Sequence, residues 1–416
     1  MPNTTYRWVI VAAGGLIGCV AMGCLFALPI FLVPMAEATG WSRTGISGAM
    51  TIGFLAMAFS SLAWGGLSDR FGPRIVVLIG AVLLVAGLYL SSVTSSLLAF
   101  QLLFGLLGGV AVSAVFAPLM AAVTGWFDTH RSLAVSLVSA GIGVAPVTMT
   151  PLAAWLVATY DWRFSMQVLA GVAAVIILPT TFLLRRPPAL EQAMAAPAGG
   201  AAAAALPTDE VDRSGMTVKQ ALTSTPFLIL ALTNFFCCAT HSGPIFHTVS
   251  YAIVCGIPAV MAATIYSVEG IAGMFGRIGF GVVADKLGAK NVLVWGLLIQ
   301  SIGALGFFFS STLWAFYAAA GLFGFIYAGV MPLYAVLARE NFPLRMMGTI
   351  IGGTSMAGSL GMALGPVLGG WLYDTTGSYG GLYLTSAAMG IGAYVIAMTF
   401  RPFPKTVARA PDAVAA

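Results

Sequence analysis

Long apolar runs, separated by short polar segments, dominate this sequence. Most runs have the roughly 20 residues that a helix needs to cross the hydrocarbon core of a bilayer. The pattern therefore predicts twelve membrane-spanning helices, which we number as spans 1 to 12. The predicted spans are 7–35, 45–66, 75–93, 96–124, 131–158, 164–184, 226–251, 259–283, 291–310, 313–338, 346–373 and 380–400.

A longer polar stretch separates the first six spans from the last six. We place an N-terminal half at 1–184, a cytoplasmic linker at 185–225, a C-terminal half at 226–401 and a cytoplasmic tail at 402–416. The linker is rich in Ala, Pro and Gly, which is typical of a flexible connection, and a short surface helix is expected from Met216. The predicted fold class is an all-α membrane protein built from two six-helix halves.

Composition identifies lipid as the solvent and argues against several functions. Hydrophobic residues make up 59% of the chain and charged residues 7%, whereas a soluble domain carries about 25% charged residues. The five cysteines lie in or beside apolar runs without metal-ligand spacing, so we interpret them as packing residues and expect no metal or cofactor. The net charge of +5 is scattered over the loops, which argues against nucleic-acid binding.

The basic residues predict the orientation in the membrane. Fifteen of the 18 Lys and Arg residues lie in cytoplasmic segments if both termini are cytoplasmic. The opposite loops then hold only Arg43 and Arg163, and Arg277 lies inside a span. Because positively charged loops stay on the cytoplasmic side, we expect a multi-pass protein of the cell inner membrane with both termini in the cytoplasm.

One motif occurs in both halves at matching positions. Residues 65–74 read GGLSDRFGPR, between spans 2 and 3, and residues 281–290 read GVVADKLGAK, between spans 8 and 9. A parallel repeat of six-helix halves is the signature of transporters in which one half rocks against the other around a central site.

The doubled motif resembles the loop motif of the major facilitator superfamily. This resemblance covers nearly the whole chain and implies the major facilitator fold and secondary active transport. Asp69 and Asp285 are suited to cap helix ends and to bind Arg or Lys across a gap between the halves; the alternative is a solvated charge in a turn. The expected gating residues are Asp69, Arg70, Arg74, Asp285, Lys286 and Lys290.

Within that superfamily, residues 126–141 are similar to a loop and helix of monocarboxylate transporters and their bacterial oxalate/formate relatives. Arg277 precedes Gly281 by four residues, as does the substrate-binding arginine of that group. Span 1 departs from the pattern, because it lacks a lysine and keeps only Gly14-Gly15 of the acidic-glycine-tryptophan signature. Span 11 has Thr354 roughly where the oxalate transporter places a second cation, which argues against a dicarboxylate site.

Four ionisable residues lie within predicted spans, where such groups are costly and indicate function. Arg277 is the candidate anion anchor, because its planar guanidinium binds a carboxylate through two nitrogens; a pair with Glu269 or a snorkelling side chain is the alternative. Glu269 is the candidate proton carrier, because burial disfavours its charged form; a partner role to Arg277 or His241 is the alternative. His241 and His247 are expected to titrate, to bind substrate or to be satisfied structural residues.

Uncharged side chains in the C-terminal half are further candidates for substrate binding, since a hydroxyl or amide orients a small anion. At helical spacing each is equally compatible with packing. These residues are Asn234, Tyr266, Tyr327, Thr354 and Ser355.

The leading functional hypothesis is proton-coupled uptake of a small monocarboxylate by a monomer in the lipid bilayer. Organic-anion exchange and drug efflux are alternatives within the same fold, and a nutrient sensor that binds without transporting is a third. An enzyme is not expected, because the spans lack a HExxH motif, a nucleophile elbow and paired carboxylates.

Overall fold

The computed structural model describes residues 3–127, 129–188, 190–191 and 215–402. Within these residues, eleven helical segments are long and apolar enough to cross a membrane. The remaining crossing, span 5, consists of two shorter helices, Arg131–Gly143 and Ala145–Thr159. The twelve-helix fold expected from the sequence is therefore confirmed.

Helix bounds follow the apolar runs to within a few residues at most ends. The N-terminal half contains Asn3–Phe26, Leu28–Thr39, Arg43–Phe71, Pro73–Val93, Leu97–Phe100, a π-helical segment Gln101–Leu107, Gly108–Trp126, Arg131–Gly143, Ala145–Thr159 and Trp162–Thr181. The C-terminal half contains Val218–Leu222, Thr225–Val254, Ala259–Leu287, Ala289–Phe308, Leu313–Val330, Leu333–Asn341, a 3₁₀ turn Leu344–Met346, Met347–Thr376 and Gly380–Met398.

Three spans are interrupted beside a proline, which cannot donate a backbone hydrogen bond and clashes with the preceding turn. Span 1 breaks at Ala27 ahead of Pro29, span 5 breaks at Val144, and span 10 breaks at Pro332. Other prolines are accommodated inside continuous helices, as is common in membranes. These are Pro118, Pro151, Pro244 and Pro366.

Loop contacts show which helix ends share a membrane face. Tyr6 Oη donates to the Leu183 carbonyl at 2.9 Å, and Arg74 Nε donates to the Leu184 carbonyl at 3.0 Å. The start of span 1, the turn between spans 2 and 3 and the end of span 6 therefore lie together. We call this side the motif face. On the opposite side, the far face, Arg163 Nη1 donates to the Thr94 carbonyl at 2.8 Å.

The buried apolar side chains form three clusters. One lies within the N-terminal half and one within the C-terminal half. The third lies toward the motif face and combines both halves, with Phe127 and Val135 from the first and Phe342 and Ile350 from the second. This shared cluster joins the halves on the motif-face side.

The predicted surface helix before span 7 is present as Val218–Leu222. Thr217 and Gln220 form a capping box at its start, which satisfies backbone N–H groups that a helix start leaves unpaired. Asp209, Glu210, Asp212 and the tail beyond Pro402 lie outside the described residues. The domain boundaries stay a prediction.

Two exposed positions test the orientation. Thr223 lies at the motif face and Ser378 at the far face, and both side chains are exposed. In a variant without its five native cysteines, a membrane-impermeant maleimide should label Ser378→Cys in intact cells and Thr223→Cys only after permeabilisation, because the distribution of basic residues predicts a cytoplasmic motif face. Labelling of Thr223→Cys in intact cells would reverse the orientation.

Candidate functional site

The two copies of the repeated motif form equivalent turns at the motif face. Gly72 has φ of 89° and Gly288 has φ of 84°. Side chains strongly disfavour this backbone region, so both turns require glycine. The backbone thus gives the sequence repeat a structural basis.

Asp69, at the end of span 2, binds the start of span 11 in the other half. Its carboxylate accepts hydrogen bonds from the backbone N–H of Gly348 at 2.7 Å and from that of Thr349 at 2.7 Å. The Thr349 hydroxyl donates to it at 2.6 Å. A carboxylate at a helix N-terminus satisfies unpaired N–H groups and opposes the positive end of the helix dipole.

Asp285 makes the equivalent contact between span 8 and span 5. It accepts from the N–H of Ser132 at 3.0 Å and from that of Leu133 at 3.2 Å. Deeper in the interface, Ser61 Oγ donates to the Gly352 carbonyl at 2.9 Å. The two halves are therefore closed against each other on the motif-face side.

The helices at this interface approach so closely that backbone meets backbone. A Cβ atom added to Gly65 would lie 2.1 Å from the Gly348 carbonyl oxygen, which no real side chain tolerates. Small residues allow this approach between membrane helices, and the resulting contact leaves no passage between spans 2 and 11.

The basic members of the motif contact their own half. Arg74 donates to backbone carbonyls at the end of span 6, and the Arg70 guanidinium lies 5.2 Å from the Phe71 ring. Lys286 is exposed and Lys290 is half-buried. Across the interface, the aspartates are held by backbone amides and a hydroxyl, so the expected pairing with Arg or Lys side chains is not what the described residues show.

Arg277 lies on the helix Ala259–Leu287, four residues from its centre toward the motif face. Its Nε donates to Ser139 Oγ of span 5, in the other half, at 3.0 Å. Glycines leave room for the guanidinium, since a Cβ on Gly143 would lie 2.6 Å from Nη1 and one on Gly273 would lie 3.6 Å away. The terminal nitrogens have no hydrogen-bond acceptor within the described residues.

Glu269 lies on the same helix, eight residues before Arg277 and toward its far-face end. It is 1% exposed, and its Oε1 has no hydrogen-bond partner within the described residues. The described contacts include no ion pair with Arg277 and no hydrogen bond with His241. Glu269 is thus a buried carboxyl without a protein partner in the described part of the chain.

Two tyrosines complete a group that we call the central cluster: His241, Tyr266, Glu269, Arg277 and Tyr327. The Tyr327 ring stacks on the His241 ring with centroids 4.9 Å apart and lies within electrostatic range of Glu269 and Arg277. Tyr266 is 41% exposed although it too lies within range of both charged groups. Neither tyrosine hydroxyl has a hydrogen-bond partner among the described residues, so both are available to a ligand.

The other predicted residues lie outside the central cluster. Asn234 Nδ2 donates to the Thr354 carbonyl at 2.8 Å, and Thr354 Oγ1 donates within its own helix, so this pair joins spans 7 and 11. His247 Nε2 lies 3.2 Å from the Pro366 carbonyl, and its ring is 5.4 Å from that of Tyr379. Ser355 is half-buried on span 11.

Two residues of the cluster's surroundings were not predicted. Ser139 holds Arg277, and Gln300 of span 9 contacts His241. Gln300 is 1% exposed. An amide side chain within an apolar span could have been recognised from the sequence, but a search for charged residues alone does not find it. Ser139 had no such signal, because serine is common among the small residues of membrane helices.

Comparison with known proteins agrees with this architecture. The sequence profile described as Major Facilitator Superfamily matches residues 14–353 and 280–416. Monocarboxylate transporter 13 of Bos taurus is 26% identical over 400 residues, covering 95% of this chain and 88% of that protein. Monocarboxylate transporter 11 of Mus musculus is 27% identical over 410 residues, with the same coverage of 95% and 88%.

Among solved structures, the proton:xylose symporter XylE superimposes with a TM-score of 0.77 at 17% sequence identity. The match covers 96% of this chain and 97% of that one. At this identity the likeness establishes the fold.

The contact of Asp69 generates a test of the interface. Asp69→Asn removes the charge that opposes the helix dipole and places an amide N–H₂ against backbone N–H groups. A hydrogen bond to a charged group contributes about 1.5–3 kcal/mol, so the motif-face-closed state should lose about tenfold or more of its population relative to the open state. Alkylation of a reporter cysteine at Ser61, which is 2% exposed, should accelerate accordingly.

Asp285→Asn should accelerate the same reporter less, because Asp285 accepts only two, longer hydrogen bonds. A cysteine at Ser165, buried within the N-terminal half, should react at an unchanged rate. Unchanged labelling of the Ser61 reporter in Asp69→Asn would show that the aspartate does not hold the face closed.

Proposed function

The chain belongs to the major facilitator superfamily, and from this membership and the central cluster we propose that it takes up a small monocarboxylate together with a proton by alternating access. That it is a membrane transporter related to monocarboxylate transporters, and not an enzyme, follows from the comparisons. The substrate class, the coupling to protons and the roles of individual residues are the proposal. A monomer in the cell inner membrane, with the motif face in the cytoplasm, is the expected form.

The unpaired guanidinium of Arg277 carries this proposal. Nε is occupied by Ser139, so the two terminal nitrogens remain as a pair of parallel donors. A carboxylate fits them end-on, through two charge-assisted hydrogen bonds. An anion entering a site of low dielectric loses its hydration and requires a fixed counter-charge, which Arg277 supplies within span 8.

The closed motif face indicates how access alternates. With the halves joined at Asp69 and Asp285, we expect substrate to reach the central cluster from the far face. Tyr266 is the most exposed member of the cluster. Opening the motif face requires these contacts to break and the other side to close. Because Arg277 contacts Ser139 of the opposite half, a ligand at Arg277 lies where both halves meet.

Glu269 is the proposed proton site. A buried carboxylate without a partner is costly, whereas the protonated carboxyl is neutral. A carrier with Arg277 paired to substrate carboxylate and Glu269 protonated has no net charge in its centre, so reorientation is least hindered. Hydroxyl groups of Tyr266 and Tyr327, both without protein partners in the described residues, are proposed to orient the anion.

Organic-anion exchange is the second candidate, and one observation favours it. Arg277 has no carboxylate partner in the described residues, so an empty carrier would move an uncompensated positive charge through its centre. Reorientation only with bound anion would then give obligate exchange. Symport instead requires that deprotonated Glu269 compensates Arg277 in the empty carrier.

Arg277 variants test the anion site. Arg277→Ala should abolish binding of the acid, and Arg277→Lys should weaken it about tenfold or more, because a point charge lacks the paired donors. The acids are benzoate and propionate, each compared with its neutral amide by calorimetry on purified protein; wild type should prefer the acid. Arg163→Lys, which alters a far-face arginine bound to loop carbonyls, is the matched control.

Normal folding of Arg277→Ala with wild-type affinity for the acid would make Arg277 structural. Equal affinity of wild type for acid and amide would mean that charge is not recognised, and efflux of neutral solutes would become the better hypothesis.

Glu269→Gln tests coupling. In proteoliposomes, wild-type uptake of the acid should accelerate under an inward proton gradient, while Glu269→Gln should lose this acceleration and retain exchange of internal for external substrate. The physical reason is that the amide mimics the protonated carboxyl but cannot release a proton. Glu37→Gln, at an exposed far-face position, should behave as wild type. Proton-driven uptake that survives in Glu269→Gln would place the coupling group elsewhere.

A further inference from the structure

His241, Gln300 and Cys237 form a hydrogen-bonded group behind the central cluster. Gln300 Nε2 lies 3.1 Å from the Cys237 carbonyl oxygen and 3.4 Å from His241 Nδ1. The Cys237 thiol lies 3.4 Å from Gln300 Oε1. All three side chains are buried, at 4% exposure or less.

The partners fix the orientation of the Gln300 amide. A carbonyl oxygen only accepts hydrogen bonds, so the group facing the Cys237 carbonyl must be the N–H₂. The reversed amide would place two acceptors 3.1 Å apart and would leave the thiol without an acceptor. With the N–H₂ in this position, its second hydrogen is directed to His241 Nδ1.

We infer that Gln300 holds His241 as the neutral tautomer whose proton is on Nε2, and that this N–H is a fixed donor to the carboxylate of the substrate. His241 also lies within hydrogen-bonding range of the Cys237 carbonyl, but the Gln300 N–H₂ already donates to that oxygen. Nδ1 therefore accepts from Gln300 and carries no proton. A neutral imidazole with an acceptor at Nδ1 must be a donor at Nε2. The second part of this inference rests on the proposed function.

The geometry around Nε2 fits a ligand donor. This nitrogen has no hydrogen-bond partner within the described residues and is not among the enclosed unpaired atoms. The ring stacks on Tyr327 at 4.9 Å, which fixes its plane, and His241 lies within electrostatic range of Arg277. Tyr327 thus occupies one face of the ring and Gln300 occupies Nδ1, so Nε2 is the ring nitrogen that remains for a ligand.

The hydrogen bond from Gln300 also separates the role of hydrogen-bond donor from that of proton carrier. To become protonated, this tautomer of His241 would have to take up the proton at Nδ1, which already accepts the hydrogen bond from Gln300. The contribution of His241 is a donor of constant position. The proton that is bound and released during transport must then be carried by another group of the cluster. Glu269 is the carboxylic acid of the cluster and is the proposed carrier.

Nitrogen NMR on protein labelled with ¹⁵N-histidine tests the inference directly, because the chain has three histidines. The His241 signals are identified by their loss in His241→Gln. Without ligand, wild type should show a protonated Nε2 and an unprotonated Nδ1 between about pH 6 and 8. A proton on Nδ1 of wild type would overturn the inference.

Gln300→Glu replaces the donor with an acceptor of the same shape and should place a proton on Nδ1. Asn234→Asp, a matched change on a residue that contacts span 11 instead, should leave the His241 tautomer unchanged. Should Gln300→Glu fail to fold, Gln300→Met, which offers no hydrogen bond, should yield a mixture of tautomers. A His241 signal that remains purely Nε2-protonated in the folded variant would overturn the role of Gln300.

Saturating benzoate, or propionate if that acid binds more tightly, should shift the His241 Nε2 signal of wild type. Gln300→Met should bind the same acid more weakly, by about twofold if the two tautomers are equally populated, while its affinity for the neutral amide stays unchanged. An unshifted Nε2 signal would overturn the donor role. The tautomer of His241 is measured without ligand, whereas the substrate class is tested by acid binding to the Arg277 variants. The two experiments can therefore fail independently.

Discussion

The interior of a bilayer offers no water to a polar group, and this constraint determines which polar residues in this protein are structural. Backbone groups are satisfied within helices, and side chains such as Asn234 and Ser61 are satisfied by carbonyls of the opposing helix. Some buried hydroxyls, such as those of Thr233 and Tyr334, also have no partner in the described residues. The unpaired Glu269 oxygen and the free ends of Arg277 differ from them because they belong to ionisable groups, whose burial costs far more. Groups that fold stability alone would not retain are the ones a ligand is expected to satisfy.

The same constraint explains how the halves close without locking. The contacts of Asp69 and Asp285 each join a carboxylate to the start of a helix in the opposite half. At the membrane edge, water competes for both partners once they separate, so neither is left unsatisfied in the open state. Such contacts bias an equilibrium by a few kcal/mol, which is the range that alternation between two states needs.

The sequence was sufficient to predict the spans, because length and hydrophobicity decide them. It also located Arg277 and Glu269 inside span 8, because charged residues are conspicuous in an apolar run. It was insufficient for neutral polar residues. In the sequence, Thr354 and Tyr327 are both neutral polar residues within apolar spans. In the structure, Thr354 joins spans 7 and 11, whereas Tyr327 belongs to the central cluster. Only packing distinguishes them. The break at Val144 was likewise missed, since a short interruption does not alter the hydrophobicity of a span.

The central cluster is unequal between the halves, and this inequality has a mechanical consequence. Its five members all belong to the C-terminal half, whereas the opposite half offers Arg277 a single hydroxyl, Ser139, and a bare glycine surface at Gly143. One hydrogen bond to a charged group is readily exchanged for a ligand or for water. In the proposed transport cycle, the C-terminal half therefore keeps its hold on the anion while the N-terminal half moves past it. Rocking would then change access to the ligand without breaking up the proposed site.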